Sequence, residues 1–175
     1  MSYISIGALT VPLDSVLTFS QSYQAIERST VHRLGVTGTG VKQTLYGGKL
    51  RTTISATGWT APGLSALDRS AQHQLKCAAT LSNSGGVSDI KIGDSSRRRT
   101  DAGFEPVAYA IFPGHHVKTP VSVDAAGNCV VTPVAGAGHY KVDWYPVLTV
   151  LIIDFTEDTQ ADTATFVWEL VAEEV

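Results

Sequence analysis

The amino-acid sequence predicts an all-β protein: a β-sandwich or barrel-like domain with a long exposed loop or arm and at most one or two short helices. Three observations predict it. Alternating apolar and polar runs recur along the chain, turn residues separate them at short intervals, and almost no long helical period is present.

The 175 residues are enough for one core without metals or disulfides. No internal repeat or domain boundary is visible, so a single domain over residues 1–175 is expected. Hydrophobic residues make up 43% and charged residues 17%, against roughly 25% charged in ordinary domains. A surface short of charge has less to hold it apart from neighbours. Sixteen glycines, together with many Thr, Ser and Val, give the mixture of short strands joined by tight turns. The net charge of -3 provides no positive field to recruit nucleic acid or an anionic membrane. No apolar run approaches the ~18 residues of a membrane-crossing helix. The start, Met1 to Ile6, lacks a basic region followed by an apolar block, so synthesis in a cytoplasm without export by that route is expected. Cys77 and Cys129 fall in expected strands; one disulfide between them is open, but two buried thiols are the preferred reading.

Along the chain, Val41–Tyr46, Gly47-Gly48 and Lys49–Ala56 read as a hairpin closed by a two-residue glycine turn. In its second strand Leu50, Thr52, Ile54 and Ala56 share one face. Pro62 to Asp68, with Leu64 and Leu67 three apart, suits one helical turn. Gln74–Ala79 alternates as a strand. Residues 81–105 are poor in large apolar side chains and rich in Ser, Gly and Arg, which predicts a long exposed loop or arm. A strand at Val107–Phe112 and a hairpin of Val121–Asp124 with Cys129–Thr132 follow. The strongest apolar run, Val147–Phe155, pairs with Thr163–Val171 and reads as a central strand buried on both faces. Edge pairing then falls to weaker strands, Val121–Val123 or residues near Met1. Ser20 to Arg33 reads either as a short helix or as an irregular strand.

Little in the chain carries chemistry. Gly35 and Gly40 have P-loop spacing, but Val41 stands where the lysine belongs, and Gly38 and Gly40 lack the third glycine of a dinucleotide fingerprint. Adjacent His115 and His116 point to opposite faces of a strand, and the cysteines lack zinc-site spacing. There is no Gly-x-Ser-x-Gly elbow, and of Asp143, Asp154, Glu157, Asp158 and Asp162 most cluster at a turn between two strong strands, where solvated acids are ordinary. No enzyme, cofactor or metal is expected. The sharpest charge feature is Arg97-Arg98-Arg99, followed by Asp101. It is too short and too poor in aromatic neighbours for a nucleic-acid patch, and suits pairing with carboxylates of a neighbouring subunit, for which Glu169, Glu173 and Glu174 are candidates. Trp59 and Trp144 join Arg97, Arg98, Arg99 and Asp101 as candidate interface residues.

The stretch from Val41 through Tyr46-Gly47-Gly48, Gly58-Trp59 and Pro62-Gly63-Leu64 to Leu67-Asp68 resembles a segment of tail-associated structural proteins of long-tailed bacteriophages. Trp144-Tyr145-Pro146-Val147-Leu148-Thr149-Val150 is similar to an aromatic-then-proline strand in the same proteins. The two segments cover about a fifth of the chain. The resemblance implies a virion component of the distal tail or baseplate, made in the host cytoplasm, which forms homo-oligomeric rings or docks on other tail proteins and carries no catalytic residue. The alternative is a carbohydrate- or receptor-binding module with Trp59, Trp144 or Tyr145 as a stacking platform.

Overall fold

The computed structural model describes residues 4–175. Those residues are all-β, with strands β1 (Ser5–Ile6), β2 (Leu9–Thr10), β3 (Thr18–Arg33), β4 (Gly40–Gly58), β5 (His73–Lys76), β6 (Leu81–Gly85), β7 (Ile90–Lys91), β8 (Val107–Phe112), β9 (His115–Thr119), β10 (Val121–Val123), β11 (Asn128–Val131), β12 (His139–Trp144), β13 (Val147–Gln160) and β14 (Thr165–Glu174). The helical content is two single 3-10 turns, Leu13–Ser15 and Leu64–Ala66. Where the sequence shows no internal boundary, the structure divides into two compact units. The first contains the chain up to Thr10 and Gln74–Leu148; the second contains Val11–His73 and Thr149–Val175.

The first unit contains a sandwich. One sheet has the order β6-β12-β8-β9 and the other β10-β11-β7. Alternation sends every second side chain inward, so Ala108 and Ala110 of β8 and Tyr140, Val142 and Trp144 of β12 meet Ile90, Cys129 and Val131 of the opposing sheet in one buried cluster. The two buried aromatics with polar tips are satisfied. The Tyr140 hydroxyl accepts from the Val134 amide at 3.0 Å, and the Trp144 indole donates to Asn83 Oδ1 at 3.0 Å. Cys77 and Cys129 are buried free thiols, and burial pushes the Cys129 thiol up. Val121–Val123 lies at a sheet edge as expected, and β2 is the edge beyond β1; residues 1–3 of the other expected edge lie outside the described residues.

The second unit is built on four antiparallel strands in the order β13-β14-β4-β3. Thr52, Ile54 and Ala56 of β4 are buried on the face read from the alternation. Trp168, Leu170 and Ala172 of β14 and Val150 and Ile152 of β13 are buried likewise. The Trp168 indole donates to the Ser15 carbonyl at 2.8 Å, anchoring the first 3-10 turn. The Pro62–Asp68 turn forms as predicted, with Leu64 buried and the amides of Gly63 and Leu64 donating to Glu157 Oε1 at 3.0 and 2.8 Å.

Three expectations are corrected, and one left open is decided. Gly47-Gly48 does not close a hairpin; β4 runs straight through it, and β3 pairs with the whole of β4. The register slips between Ile26/Lys49 and Arg28/Tyr46, so two residues of β4 oppose one of β3 there. This bulge uses the same positive φ as a primed turn, +77° at Gly48, which explains the misreading. Ser20 to Arg33, open between a short helix and an irregular strand, is the strand, with register shifts after Ile26 and after Arg28. Strand β13 is buried on one face only: Leu148, Val150 and Ile152 are covered, while Thr149 and the bulged Ile153 are exposed. Residues 81–105 are not one exposed loop but contain β6 and β7, and Arg98 and Arg99 within them are buried.

The β10–β11 turn gives a stability test. Gly127 sits at φ +86°, and a Cβ there would lie 2.3 Å from the Ile92 carbonyl oxygen. That carbonyl cannot retreat cheaply, because the Ile92 amide donates to Gly127 O at 2.9 Å. Gly127→Ala is expected to destabilise the first unit by at least about 2 kcal/mol in denaturant melts; an unchanged midpoint would contradict this geometry.

Candidate assembly surface

Strands β3 and β4 remain paired after their other neighbour has ended. The β14–β4 register stops at Glu173↔Arg51, whereas β3 and β4 continue from Ala25↔Leu50 to Arg33↔Gly40. At about 3.3 Å per residue this arm reaches roughly 25 Å past the sheet. Every residue from 27 to 49 is exposed. The glycine-rich run that invites a phosphate-loop reading forms its tip: the Gly38 amide donates to Leu34 O at 2.8 Å and the Leu34 amide to Thr39 O at 3.0 Å. A second register slip between Arg28/Tyr46 and Ser29/Thr44 leaves Leu45 as an extra residue, and such bulges bend and twist a strand pair.

The arm carries an unusual load of apolar surface. Val31, Leu34, Val36, Val41, Leu45 and Tyr46 are all about half exposed or more, Val36 completely. Val31 pairs with Lys42 and Val41 with His32, so apolar side chains stand on both faces of the ribbon. Lys42, opposite Val31 near the outer end of the arm, pairs with Glu27 near its base, which holds the Glu27 carboxyl below the ordinary range. Lys49 donates to the Val175 carbonyl, the Leu50 amide to Glu174 at 3.0 Å, and Arg51 pairs with Glu173 at 3.1 Å. Glu173 and Glu174, expected to await a neighbour's arginines, thus hold the root of the arm within the chain.

The six predicted interface residues do not form one exposed surface: Arg99 is paired with Asp101, Arg97 and Trp144 both flank Gly93, and Trp59 belongs to the second unit. Arg98 and Arg99 are 9% and 2% exposed. Arg98 donates to the carbonyls of Gly93 (3.0 Å) and Asp124 (3.3 Å). The Arg99 guanidinium lies 3.3 Å from the Phe104 ring centre and donates to Asp101 Oδ2 (3.1 and 3.2 Å) and to the Cys77 carbonyl (2.9 Å). Phe104 in turn meets Tyr145 edge-on at 5.0 Å. Arg97, half-buried, accepts the Val147 amide on its carbonyl at 2.8 Å. Asp101 also receives Lys76 at 3.0 Å, and Lys76 first, with Arg99, holds its carboxyl below the ordinary range. The arginine run therefore braces the 94–105 segment instead of facing a partner, and Trp144 belongs to the core. Trp59 is 63% exposed in the second unit.

Sequence reasoning missed the arm because Ser20–Arg33 was ambiguous and the glycine pair looked like a turn. The signal present was the apolar content of Val31 to Tyr46 at strand spacing with no partner strand in reach. His115 and His116 stand on opposite faces of β9, against Phe112 and Tyr109 respectively. Among the described residues no group of three His, Cys, Asp or Glu is arranged to hold a metal ion. Comparison with protein-family models, curated proteins and solved structures finds no match to this chain.

Three predictions separate brace from surface. Arg99→Leu removes the buried guanidinium that donates to the Cys77 carbonyl and pairs with Asp101, and is expected to cost about 2–4 kcal/mol of first-unit stability. Since the Asp101 carboxyl is depressed on folding, its contribution is present above the unfolded value of about 3.9 and fades as pH falls through the folded one. The acid limb of the stability curve should therefore flatten in Asp101→Asn. Trp144→Ala should cost about 3–5 kcal/mol and Trp59→Ala within about 0.5; comparable losses in thermal melts would refute the assignment of one to the core and one to the surface.

Proposed function

We propose that this chain is a structural subunit of a bacteriophage tail, of the distal tail or baseplate or associated with them, that works by self-association and by docking on other tail proteins through the β3–β4 arm. The observation that carries the reading is the arm itself. A two-stranded ribbon without a covered face is marginally stable in water, and exposed apolar side chains on both faces with a free strand edge are surface that another polypeptide covers. The resemblance to tail-associated proteins supports the reading from a separate direction, since its main segment, Val41 to Asp68, supplies the return strand of the arm and the 3-10 turn after it. A virion location after synthesis in the host cytoplasm goes with this reading.

Replacing residues 27–48 by Asn-Gly joins Ile26 to Lys49 through a two-residue turn and leaves the sheet beneath intact. This truncated chain is expected to remain folded by circular dichroism and to lose the higher oligomers that the complete chain forms in light scattering and negative-stain images. A complete chain that is strictly monomeric and ignores tail proteins would overturn the proposal. The exposure of Trp59 favours a second reading, a glycan-stacking module; saturable sugar binding on a glycan array that disappears in Trp59→Ala would establish it instead.

A further inference from the structure

We propose that the arm of one copy docks on the opposite end of the same four-stranded sheet in a second copy, head to tail, against Trp59, Leu13, Leu17 and the acidic tip of the β13–β14 hairpin. This rests on the self-assembly reading and names the surface that receives the arm.

The two ends of the second unit differ in charge. The arm between Ala25 and Leu50 carries Arg28, Arg33, Lys42 and Lys49 against the single acid Glu27. With Lys42 paired to Glu27 and Lys49 donating to the Val175 carbonyl, Arg28 and Arg33 are exposed and have no carboxylate partner among the described residues. Residues 154–165, which form the outer part of the β13–β14 hairpin, contain Asp154, Glu157, Asp158 and Asp162 and no lysine or arginine. Asp154 is paired with Arg69 at 3.7 Å and Glu157 accepts from the Leu64 turn; Asp158 and Asp162 are exposed.

The register places this acidic tip far from the arm. Gln160↔Thr165 closes the β13–β14 hairpin and Phe166 pairs with Gly58, so the tip lies beyond the end of β4 opposite to the arm. Thr18↔Thr57 and the bond from the Trp59 amide to Asp14 O at 2.7 Å bring Leu13, Leu17 and Trp59 to that same end. They are 71%, 49% and 63% exposed. One end is thus apolar and basic, the other apolar and acidic. From Gly58 to Gly40 the strand spans roughly 55–60 Å, so the two ends cannot meet within one chain. Arm-to-arm contact would oppose like charges, whereas head-to-tail contact opposes unlike ones. Such a contact is heterologous and propagates into a ring or a filament, with Trp59 as the aromatic anchor and the charges at the rim.

Charge reversal at each end tests this. Arg28→Glu with Arg33→Glu, and separately Asp158→Lys with Asp162→Lys, are each expected to weaken self-association measured by sedimentation at least about tenfold. The chain carrying all four changes has both ends reversed and is expected to recover assembly to near the unmodified level. A four-substitution chain that stays as weak as the arm-reversed one with its circular dichroism unchanged, or reversals that alter nothing, would overturn the proposal. If the reversals alter nothing while loss of residues 27–48 still abolishes oligomers, the assembly reading stands and only this receiving surface is wrong; a monomeric unmodified chain removes both.

Discussion

The structure of the second unit depends on one strand doing two jobs. From Arg51 to Thr57, β4 is paired on both sides, with β3 and with β14, and Thr52, Ile54 and Ala56 are pressed into the core. From Gly40 to Leu50 the same strand has β3 alone. The inner half fixes register, because a slip of one residue would turn Ile54 and Ala56 outward. The outer half inherits that direction without any core of its own. Bulges at the junction adjust the arm's twist without breaking its pairing.

In the first unit a comparable part is played by a buried cation. The Arg99 guanidinium ties two separate stretches to one another, bonding the Cys77 carbonyl on one side and, on the other, the Asp101 carboxylate while lying over Phe104 of the same turn. A planar donor with five N–H groups suits such a junction where a lysine would not. The segment around it has few large apolar residues, so polar bracing replaces hydrophobic packing. Asp94, which accepts from the amides of Ser96 and Arg97 and from the Ser96 hydroxyl, and Asp124, which accepts from Asn128, continue the pattern at the neighbouring turns.

The strands were legible wherever alternation and turn chemistry agreed: β8, the β10–β11 hairpin and the β13–β14 pair lie close to their expected places. The inner face of β4 and the Leu64 turn were legible too. What failed shares one cause, that composition reports solubility of a segment and not the partners it finds. Arg97, Arg98 and Arg99 read as exposed because their charge is visible in sequence while the carbonyls that receive Arg98 and Arg99 are not. Gly47-Gly48 read as a turn because a bulge and a primed turn demand the same backbone conformation. Of the candidate site, only Trp59 was named in advance, and the arm went unseen because neither face of it packs against anything that would impose a single clear period.

The central claim is that the arm is surface awaiting another polypeptide. Backbone hydrogen exchange measured on dilute and on concentrated protein addresses it most directly, because a ribbon without a core opens readily when alone. The account predicts fast exchange for the amides of residues 27–49 in dilute solution and strong protection on assembly, with β4 between Arg51 and Gly58 protected in both. Arm amides that are equally protected at every concentration, or that stay unprotected in assembled particles, would contradict it.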